Sequence, residues 1–376
     1  MEKRERIVII DDNANDLAVT RRFLERRGYD VVPAQSGEEG LRIAKEILPD
    51  AIVVDYRMPG MDGFEATRLM KADPELRTIP VLMLTGADAA QNVVEGLGAG
   101  ADDFVVKGSD IEVIVARLRA LLRVKAYQDQ LRRMNAQIMR DLQIARRVQE
   151  ALVPQGTFRG PRVEVRSAYI PSEALSGDFY DYFLLDQSMY LFVADVSGHG
   201  LPAAILVSLL KSYIHTESDP DRSLSDFMTR LNDFLFAVSL PTQFATAQVF
   251  RVDQHGALEY SNAAHPAFLL YQHARGKTIA IEDPSNLLGA MPNMLFEDRK
   301  LTMSPGDTLF VYTDGLTDRR NKEGEFYSID RIATLLEDSR DADLGVVYDS
   351  IFADVNSFAA TEDLRDDIAF VVTRFH

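Results

Sequence analysis

The first 122 residues alternate short apolar runs with stretches of helical periodicity. The apolar runs lie at 7–10, 30–32, 51–54, 81–84 and 104–106, and the helical stretches lie near 15–27, 37–48, 62–72, 88–99 and 110–123. Near-continuous apolar strands that alternate with helices are typical of a parallel sheet covered on both faces. The pattern predicts a doubly wound α/β domain with a five-stranded parallel sheet over residues 1–122.

Polar residues stand at the carboxyl ends of these predicted strands, where a doubly wound sheet gathers its functional side chains. They are Asp11, Asp12, Asp55, Thr85 and Lys107. Carboxylate oxygens bind Mg²⁺, and a carboxylate such as Asp55 can act as a nucleophile toward a phosphoryl group. One acidic residue at a strand end is usually only solvated, but five residues at matching positions favour one shared site.

Residues 123–155 carry a seven-residue apolar repeat. The repeat comprises Val124, Tyr127, Leu131, Met134, Ile138, Ala145, Val148 and Leu152, and Asp141 interrupts one inner position. Such a repeat favours a two-stranded coiled coil, and Pro154 ends the helix. We therefore expect a helical coiled-coil linker through which the chain forms a homodimer.

Residues 156–376 are dominated by strand-like runs. These lie at 162–165, 179–185, 190–194, 245–252, 258–262, 268–270, 308–312 and 368–373, and helical stretches follow Leu201, Leu224 and Ser328. Many strands with few intervening helices favour an α+β layered β-sandwich over a second doubly wound sheet.

Acidic residues cluster at the ends of several of these runs. The groups are Asp178 with Asp181, Asp195, Asp314, and Asp366 with Asp367. Carboxylates that converge without a basic partner repel one another, so divalent cations at their centre would stabilise the arrangement. The pattern predicts a metal-dependent hydrolytic site, and all-oxygen ligands favour Mn²⁺ or Mg²⁺.

Ser197 and His199 raise the alternative of a serine hydrolase. The nucleophile-elbow pattern requires glycine two residues before and two residues after the serine, whereas position 195 is Asp. His199 is better interpreted as part of a Gly-His-Gly turn that leads into a helix start at Pro202.

Composition limits the partners of the chain. The 58 acidic and 41 basic residues give a net charge of −17, which disfavours binding to nucleic acid or to an anionic membrane. The absence of cysteine excludes disulfides, thiolate ligands and cysteine nucleophiles. The amino terminus has too few apolar residues for a signal peptide, and no apolar stretch is long enough to span a membrane. We expect a cytoplasmic protein.

Residues 6–122 resemble a response-regulator receiver domain. The resemblance is carried by Asp11-Asp12, by Val53-Val-Asp-Tyr-Arg-Met-Pro-Gly-Met-Asp-Gly63, by Thr85 and by Lys107. It implies that a sensor histidine kinase phosphorylates Asp55, and that Lys107 and Thr85 contact the phosphoryl oxygens.

The same resemblance implies a Mg²⁺ site and a switch residue. Asp12, Asp55 and the main-chain carbonyl of Arg57 would hold the metal, with Asp11 acting mainly through water, and Phe104 is the aromatic switch residue. Gly108 stands where the family usually has a proline in a cis peptide, so we expect a looser loop after Lys107.

Residues 165–376 resemble the metal-dependent, PP2C-like serine/threonine phosphatases, in the bacterial branch that acts on sporulation and general-stress regulators. The matching stretches are 175–181 (Leu-Ser-Gly-Asp-Phe-Tyr-Asp), 194–200 (Ala-Asp-Val-Ser-Gly-His-Gly), 312–318 (Tyr-Thr-Asp-Gly-Leu-Thr-Asp) and 365–370 (Arg-Asp-Asp-Ile-Ala-Phe). Two departures are Val196 and Ala264, each in place of a glycine.

This resemblance implies a set of metal ligands. Asp195 would bridge two metals, and the carbonyl of Val196 would complete one coordination shell. Asp178 would hold one metal directly or through water, and Asp314 with Asp366 would hold the other. Asp366 is favoured over the adjacent Asp367.

Together these segments predict a two-component response regulator in which phosphorylation of Asp55 controls a metal-dependent protein serine/threonine phosphatase over residues 156–376. The implied substrate is a phosphorylated anti-sigma factor antagonist of the STAS-like type. The alternative is a non-catalytic adaptor that binds a sigma-factor pathway protein in a phosphorylation-dependent way, and the presence of Asp178, Asp195, Asp314 and Asp366 favours the enzyme. A DNA-binding regulator is disfavoured because the basic linker lacks the second helix and turn of a reading head.

Overall fold

The structure, a computed structural model, describes residues 4–86, 98–358 and 364–376. The chain divides into two compact units, Met1–Ile138 and Met139–His376. The helix predicted at 88–99 lies outside the described residues except for its last two positions. In the described part of the chain, no helix has the length and apolar composition that a membrane span requires.

The first unit contains the predicted five-stranded parallel sheet, with strand order β2-β1-β3-β4-β5. The strands are β1 Arg6–Ile10, β2 Asp30–Ala34, β3 Ala51–Asp55, β4 Val81–Thr85 and β5 Asp103–Val106, and the first helices are α1 Ala14–Arg26, α2 Gly37–Ile47 and α3 Gly63–Ala72. Alternate residues of β1 enter different cores: Ile7 and Ile9 pack on one face of the sheet, and Val8 and Ile10 on the other. Burial of both faces explains the near-continuous apolar strands.

Local sequence defines where these helices begin. Asn13, Ser36 and Asp62 precede α1, α2 and α3, and each side chain accepts a hydrogen bond from a main-chain N–H of the first turn. Such caps satisfy donors that have no partner within the helix.

Helix α4, Ile111–Glu150, is 40 residues long and joins two segments that the sequence analysis treats separately. It contains both the last predicted helix of the α/β domain and most of the predicted linker. No glycine or proline lies between residues 111 and 150, so nothing in the sequence interrupts the backbone hydrogen bonds. The helix ends four residues before Pro154, which disfavours helical conformation in the residue before it.

The second unit is a sandwich of two antiparallel sheets. Its strands are β6 Thr157–Arg159, β7 Val163–Ile170, β8 Asp178–Leu185, β9 Ser188–Val196, β10 Ala245–Val252, β11 Ala257–Ala263, β12 Phe268–Gln272, β13 Lys277–Ile281, β14 Arg299–Thr302, β15 Thr308–Tyr312 and β16 Ile368–Phe375. One sheet has the order β14-β11-β10-β9-β8 and the other the order β13-β12-β15-β16-β7-β6.

Helices cover the outer faces of this sandwich. They are α5 Leu201–Glu217, α6 Leu224–Val238, α7 Ile329–Asp338 and α8 Leu344–Phe358. Buried residues of α5 and α6 belong to one large hydrophobic cluster together with residues of both sheets, and α7 and α8 pack on the outer face of the β12-β15-β16 region. The predicted α+β sandwich is confirmed.

Four elements of the second unit are absent from the sequence prediction: β6, β13, β14 and α8. The three strands lie at or next to the edges of the sheets, where a strand needs little apolar burial to pair. Helix α8 is rich in β-branched and aromatic residues, which have low helix propensity. Its burial through Val347, Ile351 and Val355 stabilises the helix instead.

Gly315 allows a test of the close packing between the turn after β15 and the residues before β16. It lies in the turn after β15, and a Cβ atom at this position would stand 1.9 Å from the carbonyl oxygen of Asp367. We expect Gly315→Ala to lower the unfolding free energy of the second unit by about 1–3 kcal/mol, as overpacking does, measured by calorimetry of the full chain. Gly345→Ala is the control, because the nearest atom is the mobile end of the Arg166 side chain. Equal destabilisation by the two variants would contradict this interpretation.

Candidate functional site

The first candidate site lies at the carboxyl edge of the parallel sheet. Asp11 follows β1, Asp55 ends β3, Thr85 ends β4 and Lys107 follows β5. Asp11, Asp12 and Asp55 each offer a carboxylate oxygen within 4.8 Å of the others. Lys107 Nζ lies 3.0 Å from Asp11 Oδ2 and 2.9 Å from Asp55 Oδ2. The structure therefore brings the predicted acidic residues and the lysine together.

Two polar atoms of this site are buried without a hydrogen-bond partner, namely Asp55 Oδ1 and Thr85 Oγ1. Burial raises the pKa of Asp55 above its ordinary value, and the hydrogen bond and charge of Lys107 oppose that rise. A buried carboxylate oxygen without a donor, beside two further carboxylates, fits a hard cation such as Mg²⁺. The Thr85 hydroxyl, which has no partner among the described residues, could donate a hydrogen bond to an oxygen of a group bound at Asp55.

The remaining predicted residues of the first site are Arg57, Phe104 and Gly108. The guanidinium of Arg57 lies over the Tyr56 ring at 4.8 Å from the centroid. Phe104 is partly buried against one core of the sheet. Gly108 adopts a φ of +89°, a left-handed conformation that glycine tolerates better than other residues.

The second candidate site lies at one end of the sandwich. Asp178, the first residue of β8, pairs in register with Asp195 of β9, and Val196 ends β9. Asp314 opens the turn after β15 and Asp366 precedes β16, two strands that are paired. The Thr313 hydroxyl donates to Asp178 Oδ2 at 2.6 Å, which connects the two sheets at this point.

The second cluster is dominated by buried or mutually repelling carboxylates. Burial, followed by repulsion from Asp314 and Asp366, raises the pKa of Asp195 to about 7. Burial and the charge of Asp195 also raise the pKa of Asp178 well above its ordinary value. Within the described residues, no Lys or Arg forms an ion pair with these carboxylates. Such a donor set fits hard divalent cations.

The four carboxylates of the second cluster differ in their exposure to solvent. Asp178 is buried, Asp195 is partly buried, and Asp314 and Asp366 are exposed. In the described residues, only the trio in the first unit brings three ligand oxygens within 4.8 Å, so the second site is more open. An open face suits the entry of a phosphate group.

Asp367 has a different environment from Asp366. Its Oδ1 accepts hydrogen bonds from the N–H and hydroxyl of Ser172 at 2.7 and 2.9 Å, and its Oδ2 accepts one from the N–H of Gly177 at 2.9 Å. Asp366 Oδ1 accepts a hydrogen bond from the N–H of Asp367 and remains otherwise open. Asp367 thus holds the loop before β8, whereas Asp366 is the more exposed of the two carboxylates.

Asp181 does not join the cluster with which the sequence analysis groups it. It lies three residues after Asp178 in β8, so the two side chains point to opposite faces of the sheet. Its Oδ2 lies 2.8 Å from Lys211 Nζ and 2.6 Å from His215 Nε2 of α5. Asp181 therefore belongs to a polar contact beneath α5.

The 194–200 loop agrees with the turn interpretation of Ser197 and His199. Ser197 Oγ accepts a hydrogen bond from the Phe244 N–H at 2.9 Å, and Gly198 and Gly200, which flank His199, have positive φ angles. Ala264, where the resemblance expects glycine, also has a positive φ of +50°. The chain thus keeps a left-handed turn there despite the Cβ atom.

Thr313 is a site residue that the sequence analysis did not single out. Besides its bond to Asp178, its hydroxyl accepts a hydrogen bond from the Ala369 N–H at 2.9 Å. The signal was present in the sequence, because Thr313 stands between the apolar run of β15 and Asp314. A hydroxyl at a buried strand end needs a partner, and here the partner is a site carboxylate.

The folds and sites together define a signalling protein with a receiver-type unit and a PP2C-like unit. Residues 7–119 match the response regulator receiver domain model. Residues 186–376 match the model of the Stage II sporulation protein E (SpoIIE) family, about half of the chain. The chain belongs to the SpoIIE family.

Solved structures share the fold of the second unit. The SiaA-PP2C domain of Pseudomonas aeruginosa superimposes with a TM-score of 0.56 at 20% identity, covering 65% of this chain and 99% of that one. The RsbU and RsbW domains of Rv1364c from Mycobacterium tuberculosis superimpose with a TM-score of 0.50 at 24% identity, covering 60% of this chain and 62% of that one. At these identities the likeness concerns the fold.

Curated relatives match the first unit. The response regulator PleD of Caulobacter vibrioides is 39% identical over 131 residues, which cover 35% of this chain and 29% of PleD. The transcriptional regulator RpaA of Synechocystis is 41% identical over 118 residues, which cover 31% of this chain and 49% of RpaA. The chain thus spans less than half of the length of these relatives.

The raised pKa of Asp195 predicts a pH effect on metal-free stability. The folded protein holds this proton up to a pKa of about 7, against an ordinary value of 3.8. The resulting contribution to stability is present at low pH and is lost as pH rises through about 7. We expect added Mn²⁺ or Mg²⁺ to raise the melting temperature of the second unit more at about pH 8 than at about pH 5, because cation and proton compete.

Asp195→Asn is the control for this measurement. The amide does not titrate, so the variant should lose most of the metal stabilisation and its pH dependence. Equal metal-induced shifts in wild type and variant at both pH values would contradict the assignment.

Proposed function

We propose that the chain is a response regulator in which phosphorylation of Asp55 controls a metal-dependent protein serine/threonine phosphatase. The observation that carries the proposal is the convergence of Asp178, Asp195, Asp314 and Asp366 at one end of the sandwich, without a basic ion-pair partner among the described residues. We assign residues 1–122 to the receiver domain, 123–155 to the linker and 156–376 to the phosphatase domain.

In the phosphatase domain, the residues divide into a bridging and two terminal groups. Asp195 would lie between two cations, Asp178 and the Val196 carbonyl would hold one, and Asp314 with Asp366 would hold the other. When bound, two Mn²⁺ or Mg²⁺ ions supply an activated water and neutralise the charge of the phosphate ester. Thr313 and Asp367 keep the carboxylates in place through the hydrogen bonds described above.

In the receiver domain, Asp55 would be the phosphoacceptor. Asp11, Asp12, Asp55 and the carbonyl of Arg57 would hold Mg²⁺, which fits the close grouping of the three carboxylates. Lys107 already contacts Asp55, and the unpartnered Thr85 hydroxyl can donate to a phosphoryl oxygen. Phe104 is the proposed switch residue.

The partners follow from these two activities. A receiver domain requires a phosphodonor, for which a sensor histidine kinase is proposed. A member of the SpoIIE family with an open carboxylate site requires a phosphoprotein, for which a STAS-like anti-sigma factor antagonist phosphorylated on serine or threonine is proposed.

The activity is tested by Mn²⁺-dependent hydrolysis of p-nitrophenyl phosphate by the purified protein, with and without beryllofluoride as a mimic of phosphorylated Asp55. Loss of a residue that only orients a metal ligand lowers activity about 10–100-fold. We therefore expect Asp195→Asn, which removes a ligand, to lose at least about a hundredfold. Asp55→Asn is the matched control, and it should keep the basal rate and lose the response to beryllofluoride.

Two results would contradict the proposed phosphatase activity. One is an unchanged rate in Asp195→Asn, which would assign the hydrolysis to a contaminant. The other is absence of hydrolysis in every state, which would favour the adaptor function instead.

We also propose that the linker forms a homodimer. Val124, Tyr127, Leu131, Met134, Ile138 and Val148 lie along one stripe of α4, and each is more than half exposed. An exposed apolar repeat at seven-residue spacing fits a second copy of the same helix. Its burial in a dimer would remove this stripe from water.

The dimer is tested by sedimentation velocity of a double variant, Leu131→Glu with Ile138→Glu. Each buried aliphatic side chain contributes about 1.5–3 kcal/mol, so self-association should weaken at least about a hundredfold. Met139→Glu is the control, because Met139 is equally exposed but lies off the repeat. A monomeric wild type, or equal weakening by the control, would contradict the proposed seam.

A further inference from the structure

Gln149 is a buried polar residue near the carboxyl end of α4, with an exposed fraction of 4%. Its side-chain amide makes a reciprocal pair of hydrogen bonds with the main chain of Ser176. Nε2 donates to the Ser176 carbonyl at 2.6 Å, and Oε1 accepts from the Ser176 N–H at 3.0 Å. Two hydrogen bonds from one planar amide fix both the position and the orientation of the Ser176 backbone.

Ser176 begins the three-residue segment that leads to the metal-site carboxylate Asp178. Its hydroxyl accepts a hydrogen bond from the Asp178 N–H at 3.1 Å. The next residue, Gly177, donates to Asp367 and accepts from the Val196 N–H at 3.1 Å. The segment thus contains one proposed ligand, Asp178, and is hydrogen-bonded to the main chain of another, Val196.

This segment has little freedom to move independently. A Cβ atom on Gly177 would lie 2.5 Å from the Val196 carbonyl oxygen. The backbone approach is therefore so close that a displacement of Ser176 must also displace Gly177 and the end of β9.

The end of α4 is attached to the sandwich by contacts other than Gln149. Val153, just after the helix, is buried in the main core of the second unit, and the Tyr180 hydroxyl donates to the Pro154 carbonyl at 3.1 Å. Loss of the Gln149 amide would therefore leave the helix end docked. The role of Gln149 is therefore to position the Ser176 segment, whereas Val153 and Pro154 attach the helix end to the sandwich.

We propose that Gln149 is a positioning residue that sets the metal affinity of the phosphatase site by fixing Ser176, and through it Asp178 and Val196. The inference rests on the proposed phosphatase function. Because Gln149 lies on the same uninterrupted helix as the repeat at 124–138, any movement of the helix end would reach the metal ligands through this amide.

The test replaces the amide with an apolar side chain of similar length, Gln149→Met, in the full chain. Residues that orient metal ligands change affinity about 10–100-fold, so calorimetry should show Mn²⁺ affinity weakened by about that factor. The rate at saturating Mn²⁺ should stay near that of the wild type, because the ligands themselves remain. The binding that Asp195→Asn loses defines this site and separates it from the receiver site.

Two further variants distinguish positioning from general stability. Gln149→Glu keeps the acceptor for the Ser176 N–H and should give an intermediate affinity, which also serves if Gln149→Met fails to fold. Gln155→Met is the matched control, because Gln155 is an exposed neighbour that bonds only to the Glu150 carbonyl in the described chain. It should leave Mn²⁺ affinity unchanged.

The outcomes separate this inference from the proposed function. Wild-type affinity in folded Gln149→Met, or a lower melting temperature without weaker Mn²⁺ binding, would overturn the positioning role alone. Absence of Asp195-dependent Mn²⁺ binding in the wild type would overturn the phosphatase proposal and this inference together.

Discussion

Mutual repulsion among carboxylates at the end of the sandwich is the constraint on which the rest of the second unit depends. Asp178, Asp195, Asp314 and Asp366 come from four separate segments, and burial, followed by repulsion from neighbouring carboxylates, raises the pKa values of Asp195 and Asp178. An isolated cluster of this kind would separate. It is retained because neutral groups hold its backbone: the hydroxyl of Thr313 joins the two sheets through Asp178, and Gly315 packs closely on Asp367 within one of them.

The two sites solve the same electrostatic problem differently. In the receiver unit, Lys107 lies within 3.0 Å of both Asp11 and Asp55 and offsets part of their charge. In the sandwich, no described lysine or arginine pairs with Asp178, Asp195, Asp314 or Asp366, whereas Asp181, on the opposite face of β8, has both Lys211 and His215. Positive charge thus lies on the other side of strand β8 from the second site, and the open carboxylate cluster fits divalent cations.

The sequence predicts features that depend on period and strand ends. The five parallel strands, the sandwich strands near 179–194 and 245–262, and the convergence of Asp11, Asp12 and Asp55 all follow from patterns of apolar and acidic residues. It fails where long-range packing decides. Asp181 is predicted to share a cluster with Asp178, but strand alternation places the two side chains on opposite faces of the sheet. The pairing of Gln149 with Ser176 crosses 27 residues and has no local pattern.

Helix α4 is continuous from Ile111 to Glu150 and contains residues of both units. Between Ile111 and Glu150 it contains no glycine or proline, so bending it would break backbone hydrogen bonds rather than exploit a built-in hinge. The apolar repeat along α4 is exposed to solvent and packs against no other element within the described chain. A change in how that repeat is buried can alter the site only if it changes the relative free energies of two arrangements at the helix end. The contacts of Gln149, Val153 and Pro154 are where such a difference would act, because there the helix meets the segment that carries Asp178.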